Sequence, residues 1–232
     1  MKSVAARQIE GCAPFASHRV ALLRRPELLL FVALLALFNA PILVGPCLHS
    51  MVFLPQAVEG GEWWRLFTHP FVHVTWYHLL LDGAAFLALY HSLVEASMVR
   101  RLSYVFAAGA GSVLVSWAAA PAIATGGLCG LSGVAHGLMA VSALEMIGAQ
   151  RPGSTEWRIG WIGLVLVVGK AALEALSGRM FFTLLHFGLM GDPVAVSHAG
   201  GVIGGLLAIL LVKPGAIDNV TSPLAGRRFQ PA

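Results

Sequence analysis

The sequence predicts an all-α membrane protein: a bundle of six transmembrane helices with both termini in the cytoplasm. Three observations carry that expectation. The 232 residues are 57% hydrophobic and only 11% charged, with mean hydropathy +0.78, whereas a water-soluble domain has roughly a quarter of its residues charged. Apolar runs long enough to cross a bilayer, about 20 residues each, recur along the chain. Lysine and arginine fall on alternate connections between those runs.

The first span is expected over 27–45. The basic stretch before it (Lys2, Arg7, Arg19, Arg24, Arg25) resembles the start of a signal peptide. The apolar run from Leu28 to Val44 is longer than a usual signal core, however, and no small-x-small site ends it, so it reads as a retained span. A connection of about 30 residues follows, with Glu62-Trp63-Trp64-Arg65 suited to the headgroup interface. The second span, 76–97, is the least apolar and holds His78, Asp82, His91 and Glu95. Spans at 103–123, 131–149, 159–177 (with Lys170 inside) and 194–213 complete the bundle. The expected domains are a cytoplasmic segment 1–26, a membrane domain 27–213 and a flexible cytoplasmic tail 214–232, rich in Pro and Gly.

Charge placement sets the orientation. With the N-terminus inside, the inner segments hold the five basic residues above, then Arg100, Arg101, Arg151, Arg158, Lys213, Arg227 and Arg228, against only Arg65 and Arg179 outside. That is the positive-inside pattern, and it accounts for the net charge of +4. No basic stripe interleaved with aromatics supports nucleic-acid binding. Cys12, Cys47 and Cys129 form no even framework and lack metal-ligand spacing, so they read as free, mostly buried thiols.

In this orientation Ser132, at the start of span four, and His198, near the start of span six, fall on the same outer side. Ser132 lies in Gly130-Leu131-Ser132-Gly133, at a helix N-terminus where unpaired N–H groups and the dipole favour developing negative charge. A serine hydroxyl needs an adjacent base to act as a nucleophile, and His198 supplies one if the helices approach closely. Gly133 and Gly137 on span four, with Gly201 and Gly205 on span six, provide small-residue faces for that approach. The plain alternative is ordinary glycine-mediated packing with Ser132 as a cap.

The run from Thr68 to Asp82 adds His69, His73 and His78 ahead of and within span two. With Trp64-Arg65, His69 and His73, His78 with position 82, Gly130 to Gly133, and His198 with Gly201 and Gly205, the chain resembles the rhomboid family of intramembrane serine proteases over about residues 60–213. The resemblance implies a rhomboid-like six-helix bundle, with Ser132 as nucleophile and His198 as general base, a dyad without a carboxylate. It assigns the oxyanion hole to His78 and the backbone N–H groups around Leu131 and Ser132, and support of the dyad to Gly130, Gly133, Gly201 and Gly205. It implies a single-span membrane protein as substrate, cut near the outer face of a bacterial cytoplasmic membrane, with no metal or organic cofactor. His69 and His73 are expected to organise the first loop. Their spacing also suits a metal, although no Glu or Cys stands near in sequence to complete a site. His49, His91 and His186 receive no role.

Two positions depart from the family pattern. Asp82 stands where the family has Asn; an ionised carboxylate there would repel an oxyanion, so Asp82 serves only if protonated or if it orients His78. His136, one turn below Ser132, replaces an aromatic residue and either packs under the imidazole of His198 or polarises it. Gly-Leu-Ser-Gly-x-x-His-Gly is similar to the rhombosortase branch, whose members process proteins with C-terminal Gly-rich sorting tails. Two other classes compete. A non-catalytic rhomboid-like binder of membrane proteins would be expected to have lost Ser132 or His198. A haem or ion carrier would need facing histidines at matched depth on different spans.

Overall fold

Among the described residues, side-chain caps set where three of the six long helices begin. The computed structural model describes residues 25–182, 187–189 and 194–211. Most of the expected cytoplasmic segment, the expected tail, Lys213, Cys12 and His186 lie outside the described residues. Helix α1, Pro26–Asn39, opens on a proline whose missing N–H costs nothing in a first turn, and it tightens into a 3-10 turn over Ala40–Leu43. Helix α2, Trp76–Ser92, is capped by Thr75, whose hydroxyl accepts from the His78 N–H at 3.1 Å. Helix α3, Met98–Ala119, starts from Ser97. Helix α4 is Ser132–Ala149 and α6 is Val196–Leu211. Helix α5, Thr155–Ser177, begins where Ser154 accepts from the Trp157 N–H and ends on Gly178 at φ 66°, a left-handed terminus that glycine adopts without strain.

Several boundaries differ from the sequence expectation for reasons visible in the contacts. The second helix stops at Ser92, not at 97, because the Val94 and Glu95 N–H groups donate to the Glu145 carboxylate of α4. The third begins at Met98, five residues early, because Arg101 is not a solvent-side charge: it is buried and pairs with Glu27 of α1, which also accepts from the Tyr90 hydroxyl. The fifth starts at its Ser154 cap. Among the described residues, four segments are long and apolar enough to cross a membrane: Pro26–Leu43, Met98–Ala119, Ser132–Ala149 and Thr155–Ser177. A fifth candidate is the pair Arg65–Phe71 and Trp76–Ser92, bent by 96°, while Val196–Leu211 is apolar but shorter. The structure is thus a helical, multi-pass membrane architecture.

Helix α6 sits against α3, α4 and α5, and α4 also meets α2, α3 and α5. Glycine makes this possible on two adjacent faces of α6. A Cβ on Gly201 would land on the Gly133 carbonyl of α4, and one on Gly205 would lie 2.5 Å from the Gly137 oxygen. On the other face, a Cβ on Gly200 would collide with the Gly111 carbonyl of α3. These helices therefore touch backbone to backbone, the close approach small residues allow. Phe31, Phe86, Tyr90, Leu131, Leu138 and Val141 fill the core beside them. Ile162, Val165, Leu166, Leu173 and Leu176 of α5 stay exposed, as a lipid-facing surface requires.

The first loop is a packed structure. Arg65 is buried, donating to the carbonyls of His49 at 2.6 Å and Val52 at 2.7 Å and pairing with Glu62. Trp63 and Trp64 remain exposed beside it. Phe53 and Leu128 exchange two backbone hydrogen bonds, and the Gly130 N–H donates to the His69 carbonyl at 3.0 Å. The loop thereby holds the stretch that leads into Ser132.

Candidate active site

Ser132 is the first residue of α4 and is half-buried, following the fully buried Leu131. Gly130 precedes them at φ +98°, a conformation glycine favours, and its bare Cα faces α2: a Cβ there would stand 2.8 Å from His78 Nε2 and 2.9 Å from Asp82 Oδ2. The segment before Ser132 therefore lies directly against His78 and Asp82. Cys129, the neighbouring thiol, is pushed up to about 12 by burial, which leaves it protonated and a poor nucleophile.

His198 occupies the first turn of α6 and is buried. Its Nδ1 lies 2.7 Å from Glu174 Oε2. Glu174 has no solvent exposure, and its carboxylate also accepts from the Lys170 ammonium at 2.8 Å and from the Phe181 N–H at 2.8 Å. A carboxylate with those donors is an acceptor, so Nδ1 carries the ring proton and Nε2 keeps its lone pair. His198 Nε2 is buried and has no hydrogen-bond partner among the described residues. An imidazole oriented by a buried carboxylate, with its other nitrogen free, is the arrangement of a general base.

His136 completes the surroundings of that ring. The two imidazoles stack with centroids 3.8 Å apart and planes within 12°. His136 Nδ1–H donates to the Ser132 carbonyl at 2.7 Å, and its Nε2 accepts from Lys170 at 3.0 Å. His136 thus joins the backbone of Ser132 to the face of His198, while Gly133 and Gly201 bring their helices into contact. Among the described residues, two groups have metal-ligand character. In His136, Glu174 and His198 the Lys170 ammonium already supplies the cation. The other group is His73, His78 and Asp82, all buried, with one donor atom each lying within 4.8 Å of the others.

Of the residues the sequence brought forward, His136 joins the Ser132 backbone to the ring of His198, and Gly130 lies against His78 and Asp82, while the Ser132 hydroxyl makes no hydrogen bond to His198 Nε2. Sequence reasoning gave Glu174 no role, and a carboxylate stands on His198 where the resemblance implied none. The available signal was Glu174 itself, an acid one turn beyond Lys170 within an apolar span, because ionisable groups there are rare and face functional interiors. It also missed the nearness of His73 and Asp82, which the bend before α2 creates. His69 lies in the loop, its Nδ1 3.2 Å from the Arg65 carbonyl.

Among known proteins, the family model described as the Rhomboid domain matches residues 60–215. No curated protein and no solved structure matches the chain.

Proposed function

The chain belongs to the rhomboid family, and from that premise we propose that it is an intramembrane serine endopeptidase in which Glu174 makes a triad of Ser132 and His198. The observation that carries this reading is His198 itself, held by Glu174 at Nδ1 and free at a buried Nε2. Ser132 Oγ attacks the scissile carbonyl and passes its proton to His198 Nε2. Glu174 stabilises the resulting imidazolium, and the stacked His136 ring fixes its plane. His78 and the N–H groups around Leu131 and Ser132 donate to the oxyanion, with Asp82 orienting His78 from 3.1 Å; such donors each contribute about 10²–10³ in rate. His198 then protonates the leaving amine, and water releases the acyl group. No metal or organic cofactor enters these steps.

The substrate is a single-span membrane protein, cut near the outer face. The proposed topology has six spans, with α6 as the sixth and both termini cytoplasmic, in a bacterial inner membrane; the Lys and Arg asymmetry supports it. The test compares membranes of cells carrying the native chain or Ser132→Ala, mapping new protein termini by mass spectrometry. New termini at outer span ends in the native sample alone are expected. Identical sets favour the non-catalytic binder.

The run Gly130-Leu131-Ser132-Gly133 with His136-Gly137 supports a narrower reading, a rhombosortase acting on C-terminal Gly-rich sorting tails. A co-expressed reporter ending in a Gly-rich segment, an apolar span and terminal arginines would then be cut within the Gly-rich segment. An intact reporter beside other cleaved proteins would exclude this branch.

A further inference from the structure

We propose that His73, His78 and Asp82 form a binding site for one divalent transition-metal ion of the zinc class, and that an ion there arrests the protease. The second half rests on the catalytic reading above; the first does not.

Asn39 fixes which nitrogen of His73 carries the proton. Its side-chain oxygen accepts the His73 backbone N–H at 2.9 Å, while its NH2 donates to the carbonyls of Leu35 and Phe71 at 2.8 and 2.6 Å. The amide can therefore stand only one way round. The same oxygen faces His73 Nδ1 at 3.2 Å, so Nδ1 must carry the proton. His73 Nε2 is then a bare lone pair, and it points at the Asp82 carboxylate 3.8 Å away. His73 Nε2 is buried without a hydrogen-bond partner among the described residues, and Asp82 Oδ2, buried as well, lies 3.1 Å from His78 Nε2. Two electron-rich atoms facing each other in a low-dielectric site call for a positive charge between them.

His78 Nε2 closes the group, 3.1 Å from Asp82 Oδ2. Tetrahedral zinc binds nitrogen and oxygen at about 2.0–2.2 Å, which places neighbouring donors roughly 3.4 Å apart. The distances of 3.1 and 3.8 Å bracket that value. Two imidazoles and a carboxylate select zinc-class ions over magnesium or calcium, which require oxygen. The Asn39 bond to His73 is the kind of outer contact that fixes a ligating histidine. Gly130 leaves the space beside these donors open, since a Cβ there would stand 2.8 Å from His78 Nε2. An ion in this position binds His78 Nε2 and Asp82 Oδ2 together, which breaks the direct contact that orients His78 toward the oxyanion and so stops turnover.

The test uses the full-length protein in detergent, stripped with a chelator, exposed to zinc or magnesium, washed, and analysed for bound metal. The native chain should retain one zinc and no magnesium, and His73→Gln and Asp82→Asn should each lose retention at least tenfold. Zinc should slow fluorophosphonate labelling of the native chain at least tenfold. His73→Gln, outside the catalytic machinery, should label at the native rate with or without zinc. Zinc retained equally by all three chains, or by none, overturns the site. Retention without any labelling of the native chain leaves the metal site standing and overturns the protease reading. If His73→Gln fails to fold, Asp82→Asn decides the binding arm.

Discussion

Replacing Glu174 with glutamine perturbs the proton path while preserving side-chain volume. In the native chain Phe181 N–H and the Lys170 ammonium donate to Glu174, and His198 Nδ1–H donates to its Oε2. A glutamine in the same place has one acceptor oxygen, which those two obligate donors claim. Its NH2 then faces His198 Nδ1, which must become an acceptor. The ring proton moves to Nε2, the atom that has to receive the proton of Ser132. The imidazolium formed in the transition state also loses its counter-charge. At a separation of about 4 Å and an effective dielectric near 20 that attraction is worth about 4 kcal/mol, about a thousandfold in rate. The wrong tautomer adds to this, and orienting carboxylates in such sites contribute up to about 10⁴. Fluorophosphonate labelling of Glu174→Gln in detergent should therefore be slower by about 10³–10⁴, with partial recovery in Glu174→Asp. A rate within about threefold of native, less than 1 kcal/mol, would show that Glu174 does not hold the His198 tautomer or its charge.

Three further outcomes follow from the packing. Gly201→Ala drives a methyl group onto the Gly133 carbonyl, so thermal unfolding in detergent should show a loss at or above the usual overpacking cost of about 1–3 kcal/mol. Gly169→Ala in α5, with nothing within 4 Å of the added Cβ, should be neutral or slightly stabilising. A Gly201→Ala melting point equal to that of Gly169→Ala would show that α4 and α6 do not touch. Arg65→Ala strips the His49 and Val52 carbonyls of a charged donor. Hydrogen bonds to charged groups are worth about 1.5–3 kcal/mol each, so a lowered melting point and slower labelling are expected, and an unchanged melting point would argue that the first loop does not need it. Burial holds the Cys129 thiol up near 12 and raises Cys47 as well. Below its raised pKa the thiol stays protonated, so at pH 8 iodoacetamide should alkylate Cys129 much more slowly in the folded chain than after denaturation, as read by mass spectrometry; equal rates would contradict the raised pKa.

The helices were legible because long apolar runs carry their own length, and Ser132 and His198 stood out as candidates because glycines flank both. Boundaries were less so. Arg101 looks like a solvent-side charge in sequence, yet it finds Glu27 in the interior and lets α3 start early. The glycines of α6 were read as one face toward α4, but Gly200 and Gly204 form a second face against α3, because a helix of this composition has glycine neighbours around more than one side. Glu174 was invisible as a partner of His198: the two lie 24 residues apart on different helices, and the bond between them exists only once α5 and α6 pack. Asp82 shows the same limit. Its departure from the family's Asn is plain in sequence, but its meeting with His73 depends on the bend of 96° before α2.

The most direct test of the triad locates the covalent adduct. The native chain, Ser132→Ala and His198→Ala are treated with a fluorophosphonate in detergent and digested, and the modified peptide is sequenced by mass spectrometry. One adduct is expected, on Ser132, absent from Ser132→Ala and strongly reduced in His198→Ala. An adduct on another residue, or equal labelling of all three chains, would contradict the triad.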